Sequence, residues 1–403
     1  MINEITIKNF KSINKLTLKL GRFNIFIGSN GSGKSNILEA IAFGGAASAD
    51  KLDNEYFAPR GIRAAEAFLM KNAFFKTSSQ KPIQLSFKSK NKAINFTIDE
   101  KKGPVLKWYI KEKAELEKLL LDTFNSFAIG NIDNIPGINE INDKEKGDIK
   151  NFSSTLQKHL SEEERDDLKK MFSEMSNLPT INNLIKKEFY NKNLVNFLIY
   201  SPELTSLRKI EEESQIKPLG IKGEGLFNTL NIFKEYYKDD TLEKIKDFLH
   251  IIEWFDDFEA IYDKTTSRKA LFVKDRFVKN IKFNEKNVNE GFLFLMFYAS
   301  LFLSNETPPF FAIDNIEASL HPMLCEELIR NLVIISDKKQ VILTTHNPFV
   351  LDGLDLNDPE QRLFVVRRNP EGETIADQIK KPIKLKLSEA WMRGIFGGNP
   401  ETI

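Results

Sequence analysis

The chain has 403 residues, of which 41% are apolar, so it is long enough for two or three domains or for one domain with a large insertion, and global disorder is excluded. Its 58 basic and 57 acidic residues nearly cancel to a formal net charge of +1, so any nucleic-acid surface must be a local patch. The single cysteine, Cys325, excludes an intrachain disulfide, and with no secretory leader and no apolar run of membrane-helix length we expect a cytoplasmic protein.

The first part of the chain predicts short strands, a glycine-rich loop and a helix, in that order. Apolar and polar residues alternate over 5–10 and again over 16–20, which is typical of half-buried strands. Phe23–Ile27 is a continuous apolar run that ends at Gly28, as expected of a buried strand leading into a loop. Residues 36–43 have apolar side chains at helical spacing, so a helix is predicted after the loop.

The middle of the chain differs from both ends in its charge content and in the spacing of its apolar residues. Residues 82–110 alternate again, which predicts an antiparallel set of strands. From 111 to 257 the sequence is charged and helical in pattern, so we predict a mainly helical insertion, with 111–195 as an arm or lid. The segments 1–110 and 258–403 are then the N-terminal and C-terminal parts of one head.

The last third has the alternating helices and buried strands of an α/β domain. Strand-like alternation returns over 258–283, and after it we predict helices over 291–303 and 323–335 and strands over 310–313, 340–344 and 363–366. The strand at 310–313 ends in Asp314, and the strand at 340–344 leads into His346.

Residues 28–35 match the phosphate-binding pattern G-x-x-x-x-G-K-[ST] at every fixed position, between a predicted strand and a predicted helix. Glycines let the backbone wrap around phosphates, and the helix presents its N-terminus to the same anion. Lys34 is expected to contact the β- and γ-phosphates, and Ser35 to hold Mg²⁺. We expect the nucleotide to be bound by Asn30, Gly31, Ser32, Gly33, Lys34, Ser35 and Asn36.

Two other loops follow buried strands and carry groups suited to hydrolysis. Asp314 has the form of a Walker B aspartate and is expected to bind the Mg²⁺ shell beside Ser35. His346, at the end of a buried strand, can reach a γ-phosphate and sense it. We therefore expect catalytic roles for Lys34, Asp314, Glu317 and His346.

Together these motifs resemble those of ABC-type ATPases of the SMC, RecF and OLD (overcoming lysogenization defect) group. The first strand reads I-x-I-x-N-F-K-S-I at 5–13, and the loop reads G-x-N-G-S-G-K-S-N at 28–36. The segment 314–322 is similar to the Walker B form D-E-x-E-x-x-L-H-P, and the histidine lies in T-T-H-N-P at 344–348. Four motifs in this order make the resemblance specific.

The segment 387–394 also resembles small stand-alone OLD-like ATPases of bacterial anti-phage systems, such as the PARIS ATPase subunit. The likeness covers 1–45 and 285–403 well and the middle only loosely. It implies an α/β fold: an ABC-type P-loop ATPase head with a mixed β-sheet core, an antiparallel β subdomain and an inserted helical arm or lid. It also implies ATP and Mg²⁺ as ligands.

In this group the ATPase site is composite, because a second subunit caps the γ-phosphate with a signature segment. The resemblance therefore implies a homodimer or a higher homo-oligomer through the heads. The signature position falls at 287–293, where Asn289 stands in place of the usual serine and Gly291 follows it. Asparagine is also a common helix cap, so a purely structural role for Asn289 stays open.

Asn315 is the sharpest departure from the group, which usually has a glutamate there as general base. An amide cannot accept a proton, and general-base assistance is typically worth about 10²–10⁴-fold in rate. Glu317 or His346 could take over the task, or hydrolysis is slow and ATP binding itself is the signal. We favour slow or partner-controlled hydrolysis.

The leading hypothesis is a regulatory ATPase subunit that controls a separate nuclease or toxin in anti-phage defence, because no nuclease domain is recognisable in the chain. One alternative is a RecF- or SMC-like DNA-binding repair ATPase, and another is a slow or non-hydrolysing ATP-dependent scaffold. No membrane partner is expected. Candidate DNA contacts, for which solvated surface cations are the more common explanation, are Arg60, Arg63, Lys71, Lys88, Lys90 and Lys92.

Overall fold

The structure is a computed structural model. It describes residues 1–63, 66–72, 74, 81–90, 92–101, 107–115, 189–209, 219–236, 240–263, 268–278, 280–336, 338–380 and 385–397. Most of the predicted arm therefore lies outside the described residues.

Within these residues the strands and helices follow the predicted order. The strands are β1 (Ile2–Phe10), β2 (Ile13–Lys19), β3 (Phe23–Ile27), β4 (Ile83–Ser89), β5 (Ala93–Lys101), β6 (Lys107–Ile110), β7 (Ile199–Tyr200), β8 (Phe255–Asp263), β9 (Arg268–Asp275), β10 (Lys282–Asn284), β11 (Phe310–Ile313), β12 (Gln340–Thr345), β13 (Gln361–Arg368) and β14 (Thr374–Ile379). The helices are α1 (Lys34–Ser48), α2 (Asn54–Phe57), α3 (Ala67–Met70), α4 (Lys192–Val195), α5 (Leu204–Leu207), α6 (Leu226–Tyr236), α7 (Thr241–Leu249), α8 (Glu290–Leu303), α9 (Pro322–Ile335) and α10 (Leu387–Met392), with 3-10 turns at Ala58–Arg60 and Pro348–Gly353.

The main sheet has six strands in the order β14-β13-β3-β12-β11-β7. Strands β13, β3, β12, β11 and β7 are parallel, and β14 pairs antiparallel with β13. Every residue of β3, β11 and β12 is buried, which is why their sequences are mostly apolar rather than alternating. Thr345 is in register with Ile27 and Leu343 with Ile313, so the loops after these three strands meet at one edge of the sheet.

Helix α1 lies between the main sheet and a five-stranded antiparallel sheet of order β2-β1-β4-β5-β6, and apolar residues of all three share one core cluster. The predicted antiparallel set at 82–110 is therefore present. Gly44 lets the helix approach the sheet, because a Cβ there would lie 2.3 Å from the Phe87 ring. The glycine loop consequently leads into a helix that is packed on two sides.

Helix α8 lies within the second core cluster, together with residues of β3, β11 and β12. All of its residues from Gly291 to Phe302 are buried, so it is apolar around its whole circumference. It is 14 residues long, and no helix among the described residues is both long and apolar enough to cross a membrane.

Part of the predicted insertion belongs to the head. Ile199 and Tyr200 form β7 and pair in parallel with Ala312 and Ile313 of β11. The sequence is strand-like over 196–200, and the last two of these residues form the strand. Helices α6 and α7 pack into the same core cluster as α8. The remaining limits of the insertion stay a prediction.

Candidate nucleotide-binding site

The loop between β3 and α1 has the tight backbone that its glycines predict. Gly31 and Gly33 have φ values of 75° and 106°, which L side chains rarely adopt. A Cβ on Gly33 would lie 2.0 Å from Thr374 Oγ1, and one on Gly28 would lie 2.1 Å from the Val366 carbonyl oxygen. The loop is therefore packed closely against the β13–β14 hairpin, and only glycine fits at these positions.

Lys34 begins α1 and folds back over the loop. Its Nζ donates to the carbonyl oxygens of Gly28 (2.8 Å) and Ser29 (3.1 Å), and the side chain is buried. Burial lowers the pKa of Lys34 to about 8, against the opposing pull of the Asp314 and Glu317 carboxylates. The ammonium is still mostly charged at neutral pH, and an anion in the loop would favour that form.

Ser35 and Asp314 lie together as the sequence predicts. Ser35 Oγ donates to Asp314 Oδ2 at 2.9 Å, and Thr344 Oγ1 donates to Asp314 Oδ1. A hydroxyl and a carboxylate are oxygen donors of the kind that Mg²⁺ prefers. The buried Ser32 Oγ and Glu317 Oε2 have no hydrogen-bond partner among the described residues, so the site retains unused polar atoms for a ligand shell. These residues fit an ATP-bound Mg²⁺.

Asn315 directly follows Asp314 and is exposed at the same edge. Its φ is 57°, in the left-handed region, where asparagine is among the most tolerated residues after glycine. Its backbone N–H donates to Thr344 Oγ1 at 2.9 Å, so one hydroxyl links it to the Asp314 carboxylate. The position is suited to face a bound phosphate, but its side chain is an amide.

Glu317 and His346 face the loop rather than pointing away from it. Glu317 Oε1 accepts from the backbone N–H of His346 at 2.6 Å. His346 Nδ1 lies 2.9 Å from the Gly28 carbonyl oxygen and 3.2 Å from Lys34 Nζ. Desolvation, and next to it the Lys34 charge, lower the pKa of His346, which favours a neutral imidazole. If Nδ1 carries the proton it donates to Gly28, and Nε2 is left as an acceptor.

Sequence reasoning missed a chain of hydroxyl groups under the loop. Asn36 Nδ2 donates to Ser12 Oγ (2.6 Å), which lies 2.7 Å from Thr374 Oγ1, which in turn donates to the Ser32 carbonyl oxygen (2.9 Å). Ser12 lies in the N-F-K-S-I motif and could have been found from it. Thr374 has no sequence signal, because tertiary folding alone brings it to the loop.

The residues Asn289 and Gly291 lie at the start of α8. Asn289 Oδ1 accepts from the Gly291 N–H at 2.8 Å, so Asn289 caps the helix. A Cβ on Gly291 would lie 3.3 Å from the Ser319 carbonyl oxygen, which places this helix end beside the loop after β11. The cap is thus a structural fact, and contact with a nucleotide of another subunit stays a prediction. Asn30 and Gly31 are exposed at the tip of the phosphate loop.

Three of the six cations considered for DNA contact are neutralised within the chain. These ion pairs are Arg63–Glu39 (2.6 Å), Lys71–Asp99 (2.8 Å) and Lys88–Glu4 (2.6 Å). Lys71 is also buried, so it cannot lie on a DNA-facing surface. The ion pairs weaken the case for a basic face built from these residues.

Comparisons with known proteins agree with this geometry. The family described as "AAA ATPase domain" matches residues 1–351 of the chain. Among solved structures, an SMC head bound to the C-winged helix domain of ScpA is similar with a TM-score of 0.53 at 14% identity, over 94% of this chain and 98% of that chain. An SMC head domain with a coiled coil and joint from Pyrococcus yayanosii is similar with a TM-score of 0.50 at 14% identity, over 98% and 99%.

At this identity the likeness concerns the fold alone, and it confirms the expected ABC-type P-loop head. No curated protein sequence matches the chain.

Proposed function

The chain belongs to the AAA ATPase domain family and is an ATP-binding ATPase, and from this premise we propose that it is a regulatory subunit whose nucleotide-dependent assembly controls a separate effector. Lys34, Ser35, Asp314 and His346 converge at one sheet edge while an amide occupies the position after Asp314. This convergence carries the proposal, because it favours a site that holds ATP well and cleaves it slowly.

Different side chains would bind the phosphates, hold the metal ion and shape the loop. Lys34 supplies the charge for the phosphates, and Ser35 with Asp314 would hold Mg²⁺, which supplies charge neutralisation at the phosphate oxygens when bound. The chain Asn36–Ser12–Thr374 keeps the loop backbone in the shape that binds phosphate. His346 Nδ1 lies 2.9 Å from the Gly28 carbonyl oxygen, so the imidazole is held beside the loop, and Nε2 would donate to the terminal phosphate when it carries a proton.

The weak step is activation of water. Asn315 can orient a water but cannot take its proton. Glu317 is a carboxylate beside the loop that would be able to accept the proton of the attacking water. Its Oε1, however, already accepts a hydrogen bond from the His346 backbone, and Oε2 is the oxygen without a partner among the described residues. We therefore assign Glu317 a supporting role in catalysis, with slow turnover in the isolated subunit. A non-hydrolysing scaffold is the second candidate function, and Asn315 is the observation that favours it.

The assembly is proposed to be a homodimer or a higher homo-oligomer through the heads. Asn289 is exposed at the N-terminus of α8, where the helix dipole favours an anion and the Glu290 carboxylate in the first turn opposes one. Such a helix end can close over a phosphate held by a second copy. The effector is proposed to be a nuclease or toxin of an anti-phage system, by resemblance to OLD-like ATPases.

Co-purification with the product of the adjacent gene tests this function. The tagged full chain and that protein are co-expressed, and recovery is compared with ATP, with ADP and without nucleotide, for the wild type and Lys34→Ala. We expect recovery that depends on ATP in the wild type and is lost in Lys34→Ala. Equal recovery under all conditions would remove nucleotide control from the account, and a repair protein as partner would favour the DNA-binding alternative.

A further inference from the structure

A second cavity lies at the edge of the main sheet opposite the phosphate loop. Its volume is about 560 Å³, and its wall includes Leu198 before β7, Pro309 before β11 and Lys339 before β12. Asp314 and His346 of the ATP site follow the other ends of β11 and β12, so the two sites lie on opposite edges. The cavity is within the range of pockets that enclose a small molecule.

The described lining of this cavity is basic. Four of its residues are cations, namely Arg60, Lys192, Lys338 and Lys339, and Glu306 is its acidic member. None of the four cations forms an ion pair with a carboxylate in the part of the chain that the structure describes. This contrasts with Arg63, Lys71 and Lys88, which are paired. Among the described lining residues the cavity therefore has an excess of positive charge, with four cations and one carboxylate.

Lys339 is the buried member of the set, with 9% of its surface exposed. Its Nζ donates to the Ser304 carbonyl oxygen at 2.7 Å and to Thr307 Oγ1, and both partners are neutral. Burial alone lowers the pKa of Lys339 to about 8. A buried ammonium without a counter-charge is unfavourable, and an anion beside it would relieve that penalty.

The guanidinium of Arg60 is held in place by Tyr56. Its guanidinium stacks on the Tyr56 ring at 3.4 Å, and Nη1 donates to the Tyr56 carbonyl oxygen at 3.2 Å. Its Nε is buried and has no hydrogen-bond partner among the described residues. A planar guanidinium with unused donors is suited to bidentate recognition of a phosphate.

We propose that this cavity binds a small anion with two or more phosphate groups, held by Arg60, Lys192, Lys338 and Lys339. A volume of about 560 Å³ suits a compact molecule, and an extended acidic peptide is the alternative that the test below distinguishes. The site is built from the end of α8 and the start of β11, whose other ends carry Asn289 and Asp314. A ligand there would touch two elements of the ATP site at their far ends.

Isothermal titration calorimetry with inorganic pyrophosphate tests the proposal. The full-length Lys34→Ala chain without Mg²⁺ serves as the background, so that the phosphate loop contributes little. We expect one bound pyrophosphate, and about tenfold weaker binding when Arg60→Gln or the pair Lys192→Gln and Lys338→Gln is added. The matched control, Lys15→Gln, changes an exposed lysine outside the cavity and leaves the affinity unchanged.

Three results would overturn the proposal. One is no binding in the Lys34→Ala background, and another is equal binding with and without the cavity substitutions. The third is a polyglutamate peptide that binds more tightly than pyrophosphate and loses affinity with the same substitutions, since the cavity would then belong to an acidic protein partner. Because Lys192 and Lys338 are exposed, their substitution should leave the fold intact, and thermal unfolding checks this.

Discussion

Replacing Asn315 with glutamate should speed ATP hydrolysis. The residue is exposed and directly follows Asp314, so a carboxylate can be accommodated there without displacing packed atoms. A general base contributes about 10²–10⁴-fold in rate. Against this, φ of 57° is less favourable for glutamate than for asparagine by about 1 kcal/mol, which is about a fivefold change in an equilibrium. We therefore expect turnover to rise by about 10²–10⁴-fold in Asn315→Glu, while the free energy of unfolding falls by about 1 kcal/mol.

Steady-state phosphate release at saturating ATP and Mg²⁺ is the assay for this prediction. Asn315→Gln is the matched control, because it has the length and backbone strain of glutamate but no basic group. Lys34→Ala gives the background rate. Glu317→Gln in the Asn315→Glu chain should lower the rate less than it does in the wild type. Rapid turnover by the wild type, or the same rate for the Glu and Gln variants at equal ATP affinity, would refute the reasoning.

Three further predictions concern the phosphate loop. Thr374→Val keeps the shape of the side chain but removes the hydroxyl that donates to the Ser32 carbonyl oxygen. It should lower the free energy of unfolding, measured by chemical denaturation, by about 1–3 kcal/mol, and weaken ATP binding, measured by calorimetry. Thr374→Ser should retain the stability and the ATP affinity. Gly33→Ala should reduce ATP affinity at least about tenfold, because its Cβ would collide with Thr374 at a strained φ, and an unchanged dissociation constant would show that the loop can shift. ATP affinity should fall as pH rises through about 8, since the bound phosphates need Lys34 protonated. The dissociation constant for ATP should increase up to about tenfold per pH unit above that value. A dissociation constant that does not change from about pH 7 to 9.5 would contradict the lowered pKa of Lys34.

The parts of the fold that could be predicted are those whose signal is local. Strands β3, β11 and β12 are buried on both faces, so their sequences are mostly apolar, and each is followed by a motif whose residues line the nucleotide site. For α1, the predicted helix at 36–43 is shorter than the observed one, which continues to Ser48. Its Gly44 and Gly45 disfavour a helix in isolation, but they fit against Phe87 and the Leu194 carbonyl oxygen.

The unpredicted parts depend on contacts between distant segments. Strand β7 lies in a strand-like segment, 196–200, but nothing local indicates that it pairs in parallel with β11. Thr374 is brought to the loop by the pairing of β14 with β13, and nothing near it in sequence indicates a role. Likewise, the sequence left open whether Glu317 faces the site, and the hydrogen bond from the His346 backbone decides it.

The most direct test of nucleotide-dependent assembly is the molar mass of the full chain in solution. Light scattering coupled to size exclusion would be run with Mg²⁺ and ATP, with ADP and without nucleotide, for the wild type, Lys34→Ala and Asn289→Ala. We predict a dimer or larger particle only for the wild type with ATP, with assembly abolished in Lys34→Ala and weakened in Asn289→Ala. A mass that is the same under all conditions, or that changes equally in Lys34→Ala, would contradict the account.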